Sequence, residues 1–144
     1  MNTEHNKQVI QRIYAAMANG DRSVFGDSVH PDCIWRFPGH SSWSRRFEGQ
    51  ENIRRDLLGP LFALFADDYS AQLISIVAEG NTVVAEVHGN VTTHKGECYN
   101  NEYCFIFHFR DGKIAEIVEY GDTDLLERVL GNYDQVLADY RAKA

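Results

Sequence analysis

The sequence predicts an α+β domain in which helices pack on a strongly curved, mainly antiparallel sheet and enclose an internal pocket. Three observations predict it. Helical periodicity dominates up to about Phe65, alternation of period two dominates from Tyr69 to Tyr120, and aromatic residues make up 12% of the chain, a generous share that suggests a ring-lined core or cavity. An antiparallel sheet with strands of roughly ten residues has to twist and curl around something. Helices closing one side of it leave a funnel of the kind that holds small, mostly apolar molecules.

Each element has its own signal. From Thr3 to Asn19, Val9, Ile13, Ala16 and Met17 recur at helical spacing, with Thr3 as N-cap and Gly20 as the stop. Asp21 caps a short second helix whose Val24, Phe25 and Val29 face inward until His30-Pro31 ends it. Cys33 to Phe37 is a short apolar strand closed by Pro38-Gly39, and His40 to Phe47 has no period and forms a loop that could cover an opening. A third helix runs from Gly49 to about Phe65 with Ile53, Leu57, Leu61 and Leu64 on one stripe, broken or kinked at Gly59-Pro60. Four strands follow, Tyr69 to Glu79, Thr82 to Thr93, Asn101 to Arg110 and Lys113 to Tyr120. The last two meet at Asp111-Gly112, the strongest hairpin signal in the chain. Thr123 to Leu130 is a final amphipathic helix, and a polar tail closes the sequence.

A chain of 144 residues suits one domain, here taken as 1–144. A formal charge of -7, with Arg45, Arg46, Arg54 and Arg55 interleaved with acids, argues against nucleic acid as a partner. Cys33, Cys98 and Cys104 lack metal-ligand spacing, and Cys33 and Cys104 lie in apolar runs, so they are expected to be buried thiols in a reducing compartment. The N-terminal stretch carries neither the basic nor the apolar region of a leader, and no apolar run approaches the length of a membrane span. The expectation is a cytoplasmic protein without a membrane partner. No phosphate-binding glycine loop and no nucleophile elbow is present, and the histidines have no ligand spacing, so neither cofactor nor metal is expected.

Several motifs share one origin. They are Tyr14-Ala15-Ala16-Met17-Ala18-Asn19-Gly20-Asp21, Phe37-Pro38-Gly39, Phe107-His108-Phe109-Arg110-Asp111-Gly112-Lys113-Ile114 and Glu119-Tyr120-Gly121-Asp122, with Leu125-Leu126 and Val129-Leu130-Gly131 beyond. Together these make nearly the whole chain resemble the nuclear-transport-factor-2-like (NTF2-like) superfamily, in particular its SnoaL-like and ketosteroid-isomerase-related members. The resemblance implies a cone with three N-terminal helices on the curved sheet, and a homodimer through the outer sheet face. It does not fix an activity, since this fold hosts isomerases, cyclases, dehydratases and non-catalytic proteins.

The polar groups of the true ketosteroid isomerases fall on Ile13, Phe37 and Phe107, so that machinery is missing. SnoaL-like cyclases imply a carboxylate at Asp122 and a histidine at His108, and the related phenazine-biosynthesis proteins imply a glutamate at Glu119. Period two puts Ile117, Glu119 and Gly121 on one face and Val118, Tyr120 and Asp122 on the other, so both acids reach one pocket only if the strand bulges near Gly121. The plainer alternatives are a helix cap for Asp122 and a cross-strand salt bridge for Glu119. His108 alternates with Cys104 and Ile106, away from Tyr103, Phe105 and Phe107, where an interface role competes with a catalytic one.

Tyr14, Trp35, Phe37, His40, Trp43, Tyr103, Phe105 and Phe107 are the candidate ligand contacts, with Tyr14 and Tyr103 able to orient a carbonyl or hydroxyl. The leading expectation is a cofactor-free acid-base enzyme, of isomerase, cyclase or dehydratase type, acting on a small hydrophobic carbonyl- or ring-containing metabolite. The alternatives are a non-catalytic binding protein and a protein-interaction module that works through the open sheet face.

Overall fold

The computed structural model describes residues 2–143. Helix α1 (Thr3–Met17) is capped by Asn2, whose side chain accepts from the His5 N–H at 3.0 Å. Thr3, expected as the cap, is the first helical residue and donates its hydroxyl to the Gly80 carbonyl at 2.9 Å, tying the helix to the sheet. Val9, Ile10, Ile13 and Tyr14 form the buried stripe, each of the aliphatic ones stabilising the fold by about 1.5–3 kcal/mol through burial. Asp21 folds back on itself, accepting from Ser23 N and Ser23 Oγ at 2.9 and 2.7 Å. Helix α2 (Ser23–Ser28) follows and runs without a break into strand β1 (Val29–Arg36).

The expected loop contains a short strand, β2 (Arg46–Glu48), that pairs antiparallel with β1. Beyond it the third helix is composite. It comprises α3 (Gln50–Asn52), a π-helical segment (Ile53–Leu58) and α4 (Gly59–Phe62). Proline causes this. Pro60 has no N–H for the Asp56 carbonyl and its ring crowds that oxygen, so the turn widens, Gly59 N–H reaches back to the Arg54 carbonyl, and the Tyr133 hydroxyl donates to Asp56 O at 2.6 Å. Instead of a kink, the helix carries a π-bulge. Tyr133→Phe strips that carbonyl of its donor, and we expect a loss of about 1–2 kcal/mol in chemical denaturation with the fold unchanged.

Strands β3 (Ser70–Glu79), β4 (Thr82–Asn90), β5 (Glu102–Arg110) and β6 (Lys113–Tyr120) complete one six-stranded sheet in the order β2-β1-β6-β5-β4-β3. All neighbours are antiparallel except β1 and β6. Asp111 and Gly112 both have positive φ, 54° and 76°, as a type I′ turn requires. Helix α5 (Thr123–Leu130) matches the expected final helix, but the presumed polar tail folds as α6 (Tyr133–Ala142), which buries Tyr133 and Val136.

The core lies between the helices and the inner sheet face. On β5, Tyr103, Phe105, Phe107 and Phe109 point inward, while Cys104, Ile106 and His108 point outward. Cys104 is therefore exposed, as is Cys98, and of the three thiols only Cys33 is buried. The outer face carries an apolar row, Val77, Val84 and Ile106, in register across β3, β4 and β5, and the register continues to Val118 of β6, which is already buried. Among the described residues no helix is long and apolar enough to cross a membrane.

Candidate functional site

A cavity of about 260 Å³ opens between the inner sheet face and the helices. Its walls are almost wholly aromatic and aliphatic, with Trp35, Phe37, Phe105 and Phe107 on the sheet side. Trp35 and Phe37 stack at 6.1 Å between centroids and Phe105 and Phe107 at 5.6 Å, making flat surfaces that suit a flat ligand.

Among the described residues Glu119 is the one acid in the lining. Strand alternation puts it there, opposite Phe105 on β5 and two residues beyond Ile117, which faces Trp35 on β1. Trp35 Nε1 donates to Glu119 Oε1 at 3.2 Å. No Lys, Arg or His among the described residues forms a salt bridge with it. Glu119 is half-buried and borders both this cavity and a smaller neighbouring pocket, so the carboxyl is largely enclosed by protein yet reachable by a ligand. Burial pushes its pKa up from 4.5 to about 8, and the Trp35 hydrogen bond offsets part of that rise. At neutral pH Glu119 is mostly a neutral acid able to donate a proton, and a modest rise in pH turns it into a base.

Four phenols surround the same space. Tyr14 and Tyr103 line the cavity together with Tyr69 and Tyr99, and burial holds all four hydroxyls well above the usual tyrosine range. The hydroxyls of Tyr69, Tyr99 and Tyr103 lie close enough to perturb one another's ionisation, and Glu119 raises all four. They stay protonated and remain donors. Asn101, 2% exposed, fixes Tyr99 by donating to its hydroxyl at 2.9 Å, and clasps the end of β6 by accepting from Asp122 N at 3.0 Å. Tyr69 fits because Gly89 opposite it lacks a side chain: a Cβ there would stand 2.6 Å from the Tyr69 hydroxyl oxygen.

Three candidates lie elsewhere. Asp122 is the N-cap of α5, accepting from Asp124 N and Leu125 N at 3.1 Å each, and β6 ends at Tyr120 without the bulge near Gly121 that would have turned this acid inward. It is absent from the cavity lining and borders a smaller neighbouring pocket, which Glu119 also borders. His108 is on the outer sheet face, 3.2 Å from Thr82 Oγ1 and 3.8 Å from Glu116, because period two sends it away from its aromatic neighbours. His40 is exposed in the loop and takes no part in the lining. Trp43, from the same loop, does reach the cavity. The loop is clamped by Glu127, which accepts from the backbone N–H and the hydroxyl of Ser42, and by the 2.8 Å bond from Trp43 Nε1 to Gly131 O. Among the described residues no group of three or more His, Cys, Asp or Glu is placed to hold a metal ion.

A curved sheet closed by helices around a ring-lined cavity defines the NTF2-like cone class of α+β protein. The chain belongs to the SnoaL-like domain family, whose model matches residues 10–117. Among curated proteins none matches its sequence. Solved structures share the fold. Bal32a, from a soil-derived mobile gene cassette, is 20% identical with a TM-score of 0.76, the alignment covering 89% of this chain and 98% of Bal32a. A candidate SnoaL-like polyketide cyclase from Jannaschia sp. CCS1 is 16% identical with a TM-score of 0.73, covering 90% and 93%. TerC, co-crystallised with polyporic acid, is 20% identical with a TM-score of 0.73, covering 88% and 98%.

Proposed function

We propose that the protein is a cofactor-free acid-base enzyme that moves a proton on a small, hydrophobic, carbonyl- or ring-containing metabolite, in the manner of an isomerase, cyclase or dehydratase. The observation that carries this reading is Glu119, an unpaired carboxyl held by one Trp35 N–H in a ring-lined cavity, with burial raising its pKa to about 8. A group titrating there exchanges protons near neutrality, the condition for general acid or base catalysis. Tyr14 and Tyr103 donate to the substrate oxygen and stabilise charge that develops on it, with Tyr69 and Tyr99 hydrogen-bonded to Tyr103 behind them, while the stacked rings hold a flat skeleton and exclude water. TerC's crystallisation with an organic acid in the same fold is consistent with such a ligand.

The test is deuterium incorporation at the carbon beside the carbonyl of 2-tetralone in D2O, followed by NMR. We expect the protein to accelerate exchange by about 10²–10⁴ over buffer, with a rate that rises with pH through about 8 as Glu119 ionises, and Glu119→Gln to return it to background. Bound but unexchanged ketone would favour the second reading, a non-catalytic binding protein. That reading has its own support, since Asp122 and His108 both lie outside the cavity and leave Glu119 as its one acid. For either reading we propose a cytoplasmic homodimer, its outer sheet face covered along the row Val77, Val84 and Ile106, near exposed Tyr120.

A further inference from the structure

We infer that Arg22 is an anion-reading residue at the cavity mouth, so that the ligand is an amphipath: an apolar ring body with an oxygen function toward Glu119 and a carboxylate at the rim. The inference rests on the reading of the cavity as a ligand site and adds the charge of that ligand. Among the described residues lining the cavity only Arg22, Arg54 and Glu119 carry ionisable charge of the Arg, Lys, Asp or Glu kind. Arg54 is committed to Glu51. Arg22 is not committed: among the described residues no carboxylate pairs with it and its guanidinium makes no hydrogen bond. The adjacent acid, Asp21, is turned onto Ser23 N and Ser23 Oγ instead, which also holds its carboxyl below the usual range.

The guanidinium is nevertheless placed. Its central carbon lies 3.7 Å from the centroid of the Phe62 ring, and Phe62 is itself part of the cavity wall. This cation–π contact holds the guanidinium over the ring while its N–H groups make no hydrogen bond among the described residues, and a guanidinium matches a carboxylate with two parallel hydrogen bonds. Arg22 is exposed, whereas Glu119 and the tyrosines sit inside, so the site is polarised, cation outside and neutral acid within. In a chain of net charge -7, an exposed arginine in the cavity lining with no paired carboxylate among the described residues runs against the general charge of the molecule, Arg54 being offset by Glu51. A fatty or purely apolar ligand has no use for it. An acid-bearing ring compound does.

The experiment compares a matched pair of probes, 6-hydroxy-2-naphthoate and its methyl ester, by calorimetric titration at low ionic strength. The naphthol ring and hydroxyl are common to both, so only the anion differs. We expect the parent protein to bind the acid about three- to tenfold more tightly than the ester, a preference that shrinks in 0.5 M salt. Arg22→Gln should erase the preference, Arg22→Lys should keep part of it, and Arg54→Gln should keep most. Equal affinity of the parent for both probes, or a preference that survives in Arg22→Gln, overturns the anion assignment and leaves the cavity reading standing. Failure of both probes to bind the parent overturns both.

Discussion

Glu119→Gln is expected to match the parent in stability near pH 4 and to exceed it by several degrees in thermal midpoint above pH 8. The sign follows from proton linkage. In the unfolded chain Glu119 ionises near its ordinary 4.5, whereas in the folded protein burial holds the proton on up to about 8. Between those values the native state binds more protons than the unfolded state, so stability falls as pH rises, and above 8 the deficit is constant. Converted at about 1.4 kcal/mol per unit, the deficit is at most about 4–5 kcal/mol, and water entering the cavity reduces it. Glutamine has no charge to bury and keeps an oxygen for the Trp35 N–H, so it removes the deficit without removing the hydrogen bond. Thermal scans of both proteins at pH 4, 6 and 9 decide it. A difference that does not change with pH would mean that Glu119 ionises in the fold as it does in water.

The same carboxyl shows how far the sequence could be read. Period two along β6 was enough to place Glu119 with Ile117 on one face and Asp122 on the other. The alternation on β5 likewise separates His108 from the three rings that enclose the cavity. What alternation could not decide was whether the strand bulged at Gly121, because glycine permits a bulge without compelling one; here the strand ends at Tyr120 and Asp122 caps a helix.

The elements that escaped are short or weakly patterned. Strand β2 has three residues, too few for any period to show. In α6, Tyr133 and Val136 are the buried pair in ten residues, so its composition resembles a solvated tail. Tyr69 and Tyr99 were not among the candidate contacts: Tyr69, expected to open a strand, precedes β3, and Tyr99 comes from an irregular segment brought inward by the isolated pairings Phe65–Thr93 and Thr92–Cys98. Their signal is tertiary. The one local hint was Gly89, a glycine amid a strand of otherwise good formers, which marks a close approach whose partner only the fold identifies as Tyr69.

Trp43→Ala is expected to cause the largest loss of stability of any single change considered, and to change the chemistry of Glu119 as well. Trp43 is 1% exposed, packs edge-on against Tyr133 at 5.1 Å, and donates to the Gly131 carbonyl. Truncating a buried tryptophan costs about 3–5 kcal/mol, a large part of the 5–15 kcal/mol typical of a whole domain. At about 3 °C per kcal/mol for a chain of this size, the midpoint should fall by roughly 10–15 °C. Trp43→Phe, which keeps a ring but loses the hydrogen bond, should fall by about a third as much. The second effect follows from position, because Trp43 joins the loop to the cavity wall. Without it water enters beside the rings, the desolvation that dominates the Glu119 shift weakens, and the carboxyl should titrate below its present value of about 8. Carboxyl ¹³C NMR of the folded variant at low temperature reads that directly. An unchanged titration in Trp43→Ala would show that the shift is set by the rest of the cavity wall, by Trp35, the tyrosines and the β5 rings, with the loop contributing stability and nothing to the proton.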